Sequence, residues 1–132
     1  MMVDEKFVKK RCGMDWDGVS YGEALKRFHR FIEVEKPVRA SLFFSPVGGF
    51  HCVGWFDRKV DTFLVRLRWG DDWRRLELDW LRDFVYDVLW FRKTFHRKSG
   101  KFSFEQVKIT DWDRDKKGLL GRHVIAMDKV IY

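Results

Sequence analysis

The sequence predicts an α+β fold in a single domain that spans residues 1–132. Short apolar runs bounded by turn residues, typical of strands, alternate with segments in which apolar residues recur every three or four positions, typical of helices. A chain of 132 residues has the length of one ordinary domain, and 45% hydrophobic residues are enough to form a core. The strands are expected to form an antiparallel sheet with helices on one face.

The N-terminal part predicts a strand followed by a helix. A weakly apolar strand is expected over Lys6–Asp15, and an amphipathic helix over Tyr21–Ile32. Ser20 is a suitable N-cap with Glu23 three residues later as its capping-box partner. Pro37 prevents the helix from continuing.

The middle of the chain predicts a hairpin, two helices and a further strand. The apolar runs Ala40–Phe44 and Phe50–Phe56 are joined by a loop containing Pro and Gly, which indicates a β-hairpin. The next segment has helical spacing on both sides of Gly70–Asp72, so two consecutive helices that meet at a bend are expected there. Asp87–Phe91 is predicted to be a buried strand.

The C-terminal third predicts a second hairpin. Its strands are Phe102–Thr110 and His123–Ile131, and the charged segment Asp111–Gly121 separates them. The predicted order is therefore βαββαβ with an extra C-terminal β-hairpin. This is the split βαβ arrangement of RRM-like and ferredoxin-like domains.

Composition and charge favour a nucleic-acid partner, DNA or RNA. Lys and Arg number 27 against 20 Asp and Glu, which gives a formal net charge of +7 and a pI of about 9.6. Seven Trp and thirteen Phe accompany this charge. Basic charge with abundant aromatic rings suits a polyanion whose bases can stack. The alternative is that the basic residues only solvate a small domain with an aromatic core.

Several other classes of protein are excluded by the sequence. No stretch approaches eighteen consecutive apolar residues, and the charged start lacks the apolar region of a signal peptide, so a cytoplasmic protein without a membrane partner is expected. Cys12 and Cys52 lie in no metal-binding pattern, so neither a zinc site nor a disulfide framework is expected. The absence of Asn, with Gln106 as the one Gln, is typical of thermophilic proteins.

Asp15 and Asp17 form the first candidate site. Carboxylates at i and i+2 on an extended segment point to the same face and can share a divalent cation. The alternative is a simple turn at Asp17–Gly18 before the helix, with Asp15 solvated.

The loop of the first predicted hairpin forms the second candidate site. Ser45 and the glycines Gly48 and Gly49 lead into His51 at the start of an apolar strand. Small residues allow backbone N–H groups to approach a phosphate, and a histidine can donate to a phosphate oxygen. The alternative is an ordinary hairpin with a half-buried histidine.

Together these segments resemble the archaeo-eukaryotic primase (primase-polymerase) family. Members of that family carry a DxD motif at the end of a first strand and, after an intervening helix, a loop of the form S-G-x-x-G-x-H-h-x-h. Asp15 and Asp17 match the first motif, and Ser45, Gly49 and His51 are in register with the second. The resemblance covers roughly residues 10–57.

The resemblance implies a catalytic palm that performs template-dependent nucleotidyl transfer with Mg²⁺ or Mn²⁺. Asp15, Asp17 and a third acid would bind the metals. Ser45, Gly49 and His51 would bind the triphosphate of a nucleoside triphosphate. Metal and triphosphate must share one pocket, so the Asp15/Asp17 pair and the loop are expected to lie within about 10 Å of each other.

Two features depart from the pattern of the family. Pro46 replaces the first glycine of the loop. The third metal-binding acid has no unambiguous match: Asp87 has the best context, directly before an apolar run, and Asp111 and Asp79 are alternatives.

A basic segment follows the strand predicted at Asp87–Phe91. It is expected to be a loop that leaves the end of this strand, where its cations can neutralise nucleic-acid phosphates. The alternative is a solvated loop without a ligand. The candidate nucleic-acid-binding residues are Arg92, Lys93, Arg97, Lys98 and Lys101.

Two other functions compete with a primase-like enzyme. One is a non-catalytic DNA- or RNA-binding accessory protein, of a virus or plasmid, on the same fold. The other is a rolling-circle-type nicking endonuclease, which needs two histidines separated by one residue; Val53 stands where the second would be.

The neighbours of each tryptophan in the sequence indicate whether it is exposed or in the core. Trp16 and Trp112 each lie between two aspartates and are expected to be exposed. Trp55, Trp73, Trp80 and Trp90 lie on apolar stripes and are expected in the core.

Overall fold

The computed structural model describes residues 5–45, 48–82, 85, 92–116, 118–119 and 126–131. In these ranges the chain is a mixed α+β domain with an antiparallel sheet, as predicted. After a short 3-10 turn at Glu5–Phe7, the elements are β1 (Val8–Trp16), α1 (Tyr21–Glu35), β2 (Arg39–Phe44), β3 (Phe50–Asp61), α2 (Thr62–Arg68), α3 (Trp73–Leu81), β4 (Arg92–His96), β5 (Lys101–Asp113), β6 (Gly118–Leu119) and β7 (Ala126–Ile131).

The first three strands form a split βαβ unit. β3 lies between β1 and β2 and pairs antiparallel with both, so β1 and β2 run parallel to each other and α1 connects them. The predicted hairpin of β2 and β3 is confirmed, with Phe44 opposite Phe50 at its loop end. This unit brings the end of β1 beside the start of β3.

Beyond β3 the sheet differs from the predicted order. It continues from β2 to β5, and the strand predicted at Asp87–Phe91 lies outside the described residues. The second half of the βαββαβ order is therefore not confirmed. The pairing of the C-terminal hairpin is confirmed, because β5 pairs with β7 from Ser103–Ile131 to Lys108–Ala126.

The basic segment predicted as a loop is in part a strand. Arg92–His96 forms β4, which pairs antiparallel with the start of β5. The backbone register sets Phe95 opposite Phe102 and Arg92 opposite Glu105. The prediction was wrong for Arg92–His96, because backbone pairing with β5 depends on a partner strand and not on the charge of the segment.

The core lies between the sheet and α1. The Ser20 Oγ accepts a hydrogen bond from the Glu23 backbone N–H at 3.2 Å, so the predicted cap is present. The helix ends at Lys36, whose φ of 53° is left-handed, directly before Pro37. Buried side chains of α1 and three strands fill the core: Cys12, Met14, Trp16, Ala24, Phe28, Phe31, Ala40, Leu42, Cys52 and Phe56.

The tryptophan predictions were wrong for Trp16, Trp73 and Trp80, and Trp112, expected to be exposed, is partly buried against the core. Trp90 lies outside the described residues. Trp16 is fully buried, because side chains alternate along β1 and the face opposite Asp15 is the one that α1 covers. Trp73 and Trp80 are 72% and 59% exposed, because α3 buries only Leu76 and Asp79. The apolar stripe of α3 therefore does not all face the core.

Among the helices of the described ranges, none has the length and apolar character that crossing a membrane requires.

Candidate functional site

The pairing of β1 and β3 places Asp15 directly opposite His51. His51 Nε2 lies 3.7 Å from Asp15 Oδ1, which is longer than a hydrogen bond. Both side chains are on the face of the sheet away from α1, because Met14 and Trp16 occupy the α1 face of the same strand. The end of β1 and the start of β3 therefore carry one polar site.

The hairpin loop packs against Asp17. Gly49 has a φ of 90°, and a Cβ added there would lie 2.6 Å from Asp17 Oδ1 and 2.8 Å from the Trp16 carbonyl oxygen. The Ser45 N–H donates to the Gly49 carbonyl at 3.0 Å and closes the loop. The expectation that the DxD segment and the loop lie together is confirmed, and the contact explains why a glycine stands at position 49.

A third carboxylate comes from the bend predicted between the two consecutive helices. Asp15, Asp17 and Asp72 each present an oxygen, and these three atoms lie within 4.8 Å of one another. Asp72 is the N-cap of α3, where its Oδ1 accepts a hydrogen bond from the Arg74 N–H at 2.9 Å. The aspartate before a helical run could have been identified as a cap, but nothing in the sequence places it beside β1.

The acids proposed from the sequence as the third ligand do not join this cluster in the described residues. Asp79 is buried and pairs with Arg66 Nη1 at 2.8 Å. Asp111 accepts a hydrogen bond from the Ser41 hydroxyl and pairs with Lys108 Nζ at 3.1 Å. Asp87 lies outside the described residues.

Asp71 connects the two segments that carry the acids. Its buried Oδ1 accepts hydrogen bonds from the backbone N–H of Asp15 at 2.7 Å and of Asp72 at 2.8 Å. Arg66 Nε donates to its Oδ2 at 2.6 Å and Arg75 Nη1 to its Oδ1 at 2.7 Å. A single side chain thus holds the end of β1 against the turn between α2 and α3.

The electrostatics of the site disfavour the ionised forms of Asp15 and His51. Burial raises the pKa of Asp15 to about 7, with the neighbouring Asp17 as the second cause and Arg75 opposing. Burial also lowers the pKa of His51 to about 4, and Arg75 lowers it further. Asp15 Oδ1 is buried and accepts no hydrogen bond from the part of the chain that the structure describes. A proton or a cation at this point would relieve the repulsion between the carboxylates.

The basic segment begins close to the hairpin loop. β7 occupies one edge of β5, so β2 and β4 share the other, with Phe44 opposite Val107 and Arg92 opposite Glu105. Arg92 therefore follows the end of β2, where the Ser45 loop begins. The remaining candidates lie farther along: Lys93 on β4, Arg97 and Lys98 in the exposed turn, and Lys101 at the start of β5.

No protein-family model, curated protein or solved structure matches this chain. The primase resemblance therefore depends on the two motifs and on their meeting at the β1–β3 pair. The geometry offers three carboxylates for a divalent cation, with a histidine and a closely packed glycine loop on the neighbouring strand.

Proposed function

We propose that this chain is a primase-polymerase-like palm, RRM-like in its βαββαβ order, that transfers nucleotides to a DNA or RNA strand. One observation carries the proposal. Gly49 packs against Asp17, and His51 lies opposite Asp15, so two motifs separated by a helix and a strand form one site. Nucleotidyl transfer needs the metal-binding carboxylates and the triphosphate-binding loop at the same place, because the metal and the triphosphate act together in the reaction. This requirement is consistent with the meeting of the two motifs.

The residues of the site fit Mg²⁺ or Mn²⁺. Both are hard cations that prefer carboxylate oxygens, and Asp15, Asp17 and Asp72 supply three of these within 4.8 Å of one another. Asp15 Oδ1, buried without a hydrogen bond, has an unused acceptor capacity. When bound, the metal would activate the attacking hydroxyl and stabilise the leaving pyrophosphate.

The remaining residues would orient the nucleotide. His51 is neutral above its pKa of about 4, so its imidazole has one N–H to donate to a phosphate oxygen. Gly49, at a φ of 90°, has no side chain, so its backbone lies directly against Asp17. Asp71 would act as a positioning residue, because it fixes the backbone at both Asp15 and Asp72.

A non-catalytic nucleic-acid-binding protein on the same fold is the second candidate. The observation that favours it is the pKa of about 7 at Asp15, since a proton alone can then neutralise the carboxylate pair near neutral pH. The nicking-endonuclease hypothesis gains no support. Val53, at the position of the second histidine, is buried against Phe43 and Trp55.

Primer extension with Mn²⁺ tests the proposal. Asp15→Asn with Asp17→Asn is expected to abolish incorporation of nucleotides. The matched control is Glu33→Gln with Glu77→Gln, which removes two exposed carboxylates from α1 and α3 and should retain activity. No incorporation by the wild type on any primed or unprimed DNA or RNA template would refute the catalytic proposal.

Thermal unfolding separates the two candidates. A metal that binds the native state stabilises it by about 2.7 kcal/mol at one hundred times its Kd. Mn²⁺ should therefore raise the Tm of the wild type and of the control, but not that of the Asp15/Asp17 variant. A wild-type Tm that is indifferent to millimolar Mn²⁺ would favour the non-catalytic candidate.

A further inference from the structure

A basic cleft lies between α1 and the end of α2, outside the acid site. Its volume is about 420 Å³. Lys26, Arg27 and Arg30 line it from α1, and Arg68 lines it from α2. Glu23 is the one acid among the lining residues, so the cleft carries an excess of positive charge.

The cations of α1 fall on one helical stripe. Positions 23, 26, 27 and 30 are separated by three or four residues and so share one face of the helix. Lys26 and Arg30 are exposed, and neither forms an ion pair with any residue that the structure describes. They are about 6 Å apart along the helix axis, from four residues at ~1.5 Å each.

The other two cations, Arg27 and Arg68, contact the residues around the cleft. Arg27 Nη1 donates to the Trp69 carbonyl at 3.3 Å, and the guanidinium lies 5.1 Å from the ring of Trp16. Arg68 Nη1 pairs with Glu35 Oε2 at 2.8 Å, and Trp69 Nε1 donates to the same oxygen at 2.7 Å. Arg68 nevertheless remains 56% exposed, so this pair leaves much of its guanidinium facing solvent.

The cleft is connected to the acid site through two segments of the chain. Trp16, on which Arg27 stacks, stands between Asp15 and Asp17 in the chain. Gly70, in the wall of the cleft, is two residues before Asp72. The side chain of Trp16 faces α1, opposite Asp15, so a ligand in the cleft would lie on the α1 side of β1, with the turn at Gly70 leading to Asp72.

We propose that this cleft binds the phosphodiester backbone of a nucleic-acid strand. The cations with no partner are spread along a helix rather than gathered around one point, which suits successive phosphates better than a single phosphate group. The inference deepens the proposed function, on which it rests: the cleft would hold the strand on the α1 side of β1, and the turn at Gly70 connects it to Asp72.

Fluorescence anisotropy with a labelled 20-nucleotide oligothymidylate in EDTA tests the cleft without the metal. The test variant is Lys26→Ala with Arg30→Ala. The charge-matched control is Lys10→Ala with Lys59→Ala, two exposed lysines at the far end of the β1–β3 pair. All four positions are surface sites, so the unfolding free energy should change by less than about 0.5 kcal/mol in either variant.

The expected effect follows from counterion release. Each phosphate contact to a single strand contributes about 0.7 to the slope of log K against log salt. Losing two contacts should lower the slope by about 1.4 and weaken binding by about 25-fold at ~0.1 M salt, with the difference vanishing near 1 M. Equal binding by the test variant and the control would overturn the proposal.

Two further arms identify the ligand. The proposal would be overturned if the test variant lost ATP binding or phosphatidylserine-vesicle binding while its oligonucleotide affinity matched the control. The outcome is also separable from the proposed function. Loss of oligonucleotide binding in EDTA supports the cleft even if the wild type incorporates no nucleotide. If the wild type extends primers but the Lys26/Arg30 variant binds the oligonucleotide as tightly as its control does, the proposed enzyme is supported and the proposal for the cleft is overturned.

Discussion

Gly49→Ala tests the contact on which the candidate site depends. The substitution adds one methyl group, which would lie 2.6 Å from Asp17 Oδ1 and 2.8 Å from the Trp16 carbonyl oxygen. The side chain of Asp17 can rotate away, but the backbone oxygen can move only with β1. Gly48→Ala is the matched control, because Gly48 also has a φ of 90° and its Cβ would meet no atom of the described residues within 4 Å.

The two substitutions share a conformational penalty and differ in the steric one. A side chain at such a positive φ costs about 1–3 kcal/mol, which applies to both variants. Overpacking costs about 1–3 kcal/mol more, which applies to Gly49→Ala alone. Urea denaturation should therefore show Gly48→Ala destabilised by about 1–3 kcal/mol and Gly49→Ala by about 2–6 kcal/mol.

A second readout connects the contact to function. If the loop is pushed from Asp17, the stabilisation by Mn²⁺ should fall in Gly49→Ala and persist in Gly48→Ala. Equal unfolding free energies for the two variants would refute the close approach of the loop to β1, and with it the shared site.

Three further measurements test the surroundings of the site. Asp71→Asn should destabilise the fold by about 3–5 kcal/mol in urea denaturation, since it breaks one of the two buried ion pairs that Arg66 forms with Asp71 and Asp79. A loss below about 1 kcal/mol would contradict the role of Asp71 in holding β1 against the turn between α2 and α3. The dependence of the unfolding free energy on pH reports on Asp15 and His51. Because the pKa of Asp15 is raised to about 7, its contribution to stability falls as pH rises from about 4 to 7. Because the pKa of His51 is lowered to about 4, its contribution rises as pH increases from about 4 to 6.5. The two contributions nearly cancel below pH 6.5, so the unfolding free energy of the wild type should change little with pH there. In Asp15→Asn only the His51 contribution remains, and the unfolding free energy should rise with pH. A pH dependence parallel to that of the wild type would exclude the raised pKa of Asp15. Burial raises the pKa of the Cys52 thiol, so this thiol should react with DTNB only at the rate of unfolding; rapid reaction in the native state would contradict its burial.

The sequence pattern predicted the elements correctly where residues close together in the chain determine the structure. The cap at Ser20, the end of α1 before Pro37 and the hairpin of β2 and β3 depend on hydrogen bonds and φ angles within a few residues. The DxD segment and the Gly49 loop could be paired from the sequence because a short hairpin returns the chain to the strand beside β1.

Charged neighbours and apolar spacing gave wrong predictions of exposure where the burial of a side chain depends on which element packs against its face of the strand or helix. Trp16 lies between two aspartates and is nevertheless buried, since alternation along β1 turns it toward α1. Trp73 follows a helical stripe and is nevertheless exposed. A stripe indicates which side of a helix is apolar, but not whether another element packs against it.

By itself the sequence determined the α+β class, the first helix, the hairpin and the two motifs that meet at the β1–β3 pair. Only the tertiary structure identified Asp72 as the third carboxylate and Asp71 as the side chain that holds it there. It also assembled the basic cleft from α1 and the end of α2. The physical reason is separation along the chain: the hydrogen bond from Asp15 to Asp71 spans 56 residues, and no local propensity encodes a contact that depends on how α2 and α3 pack beside β1.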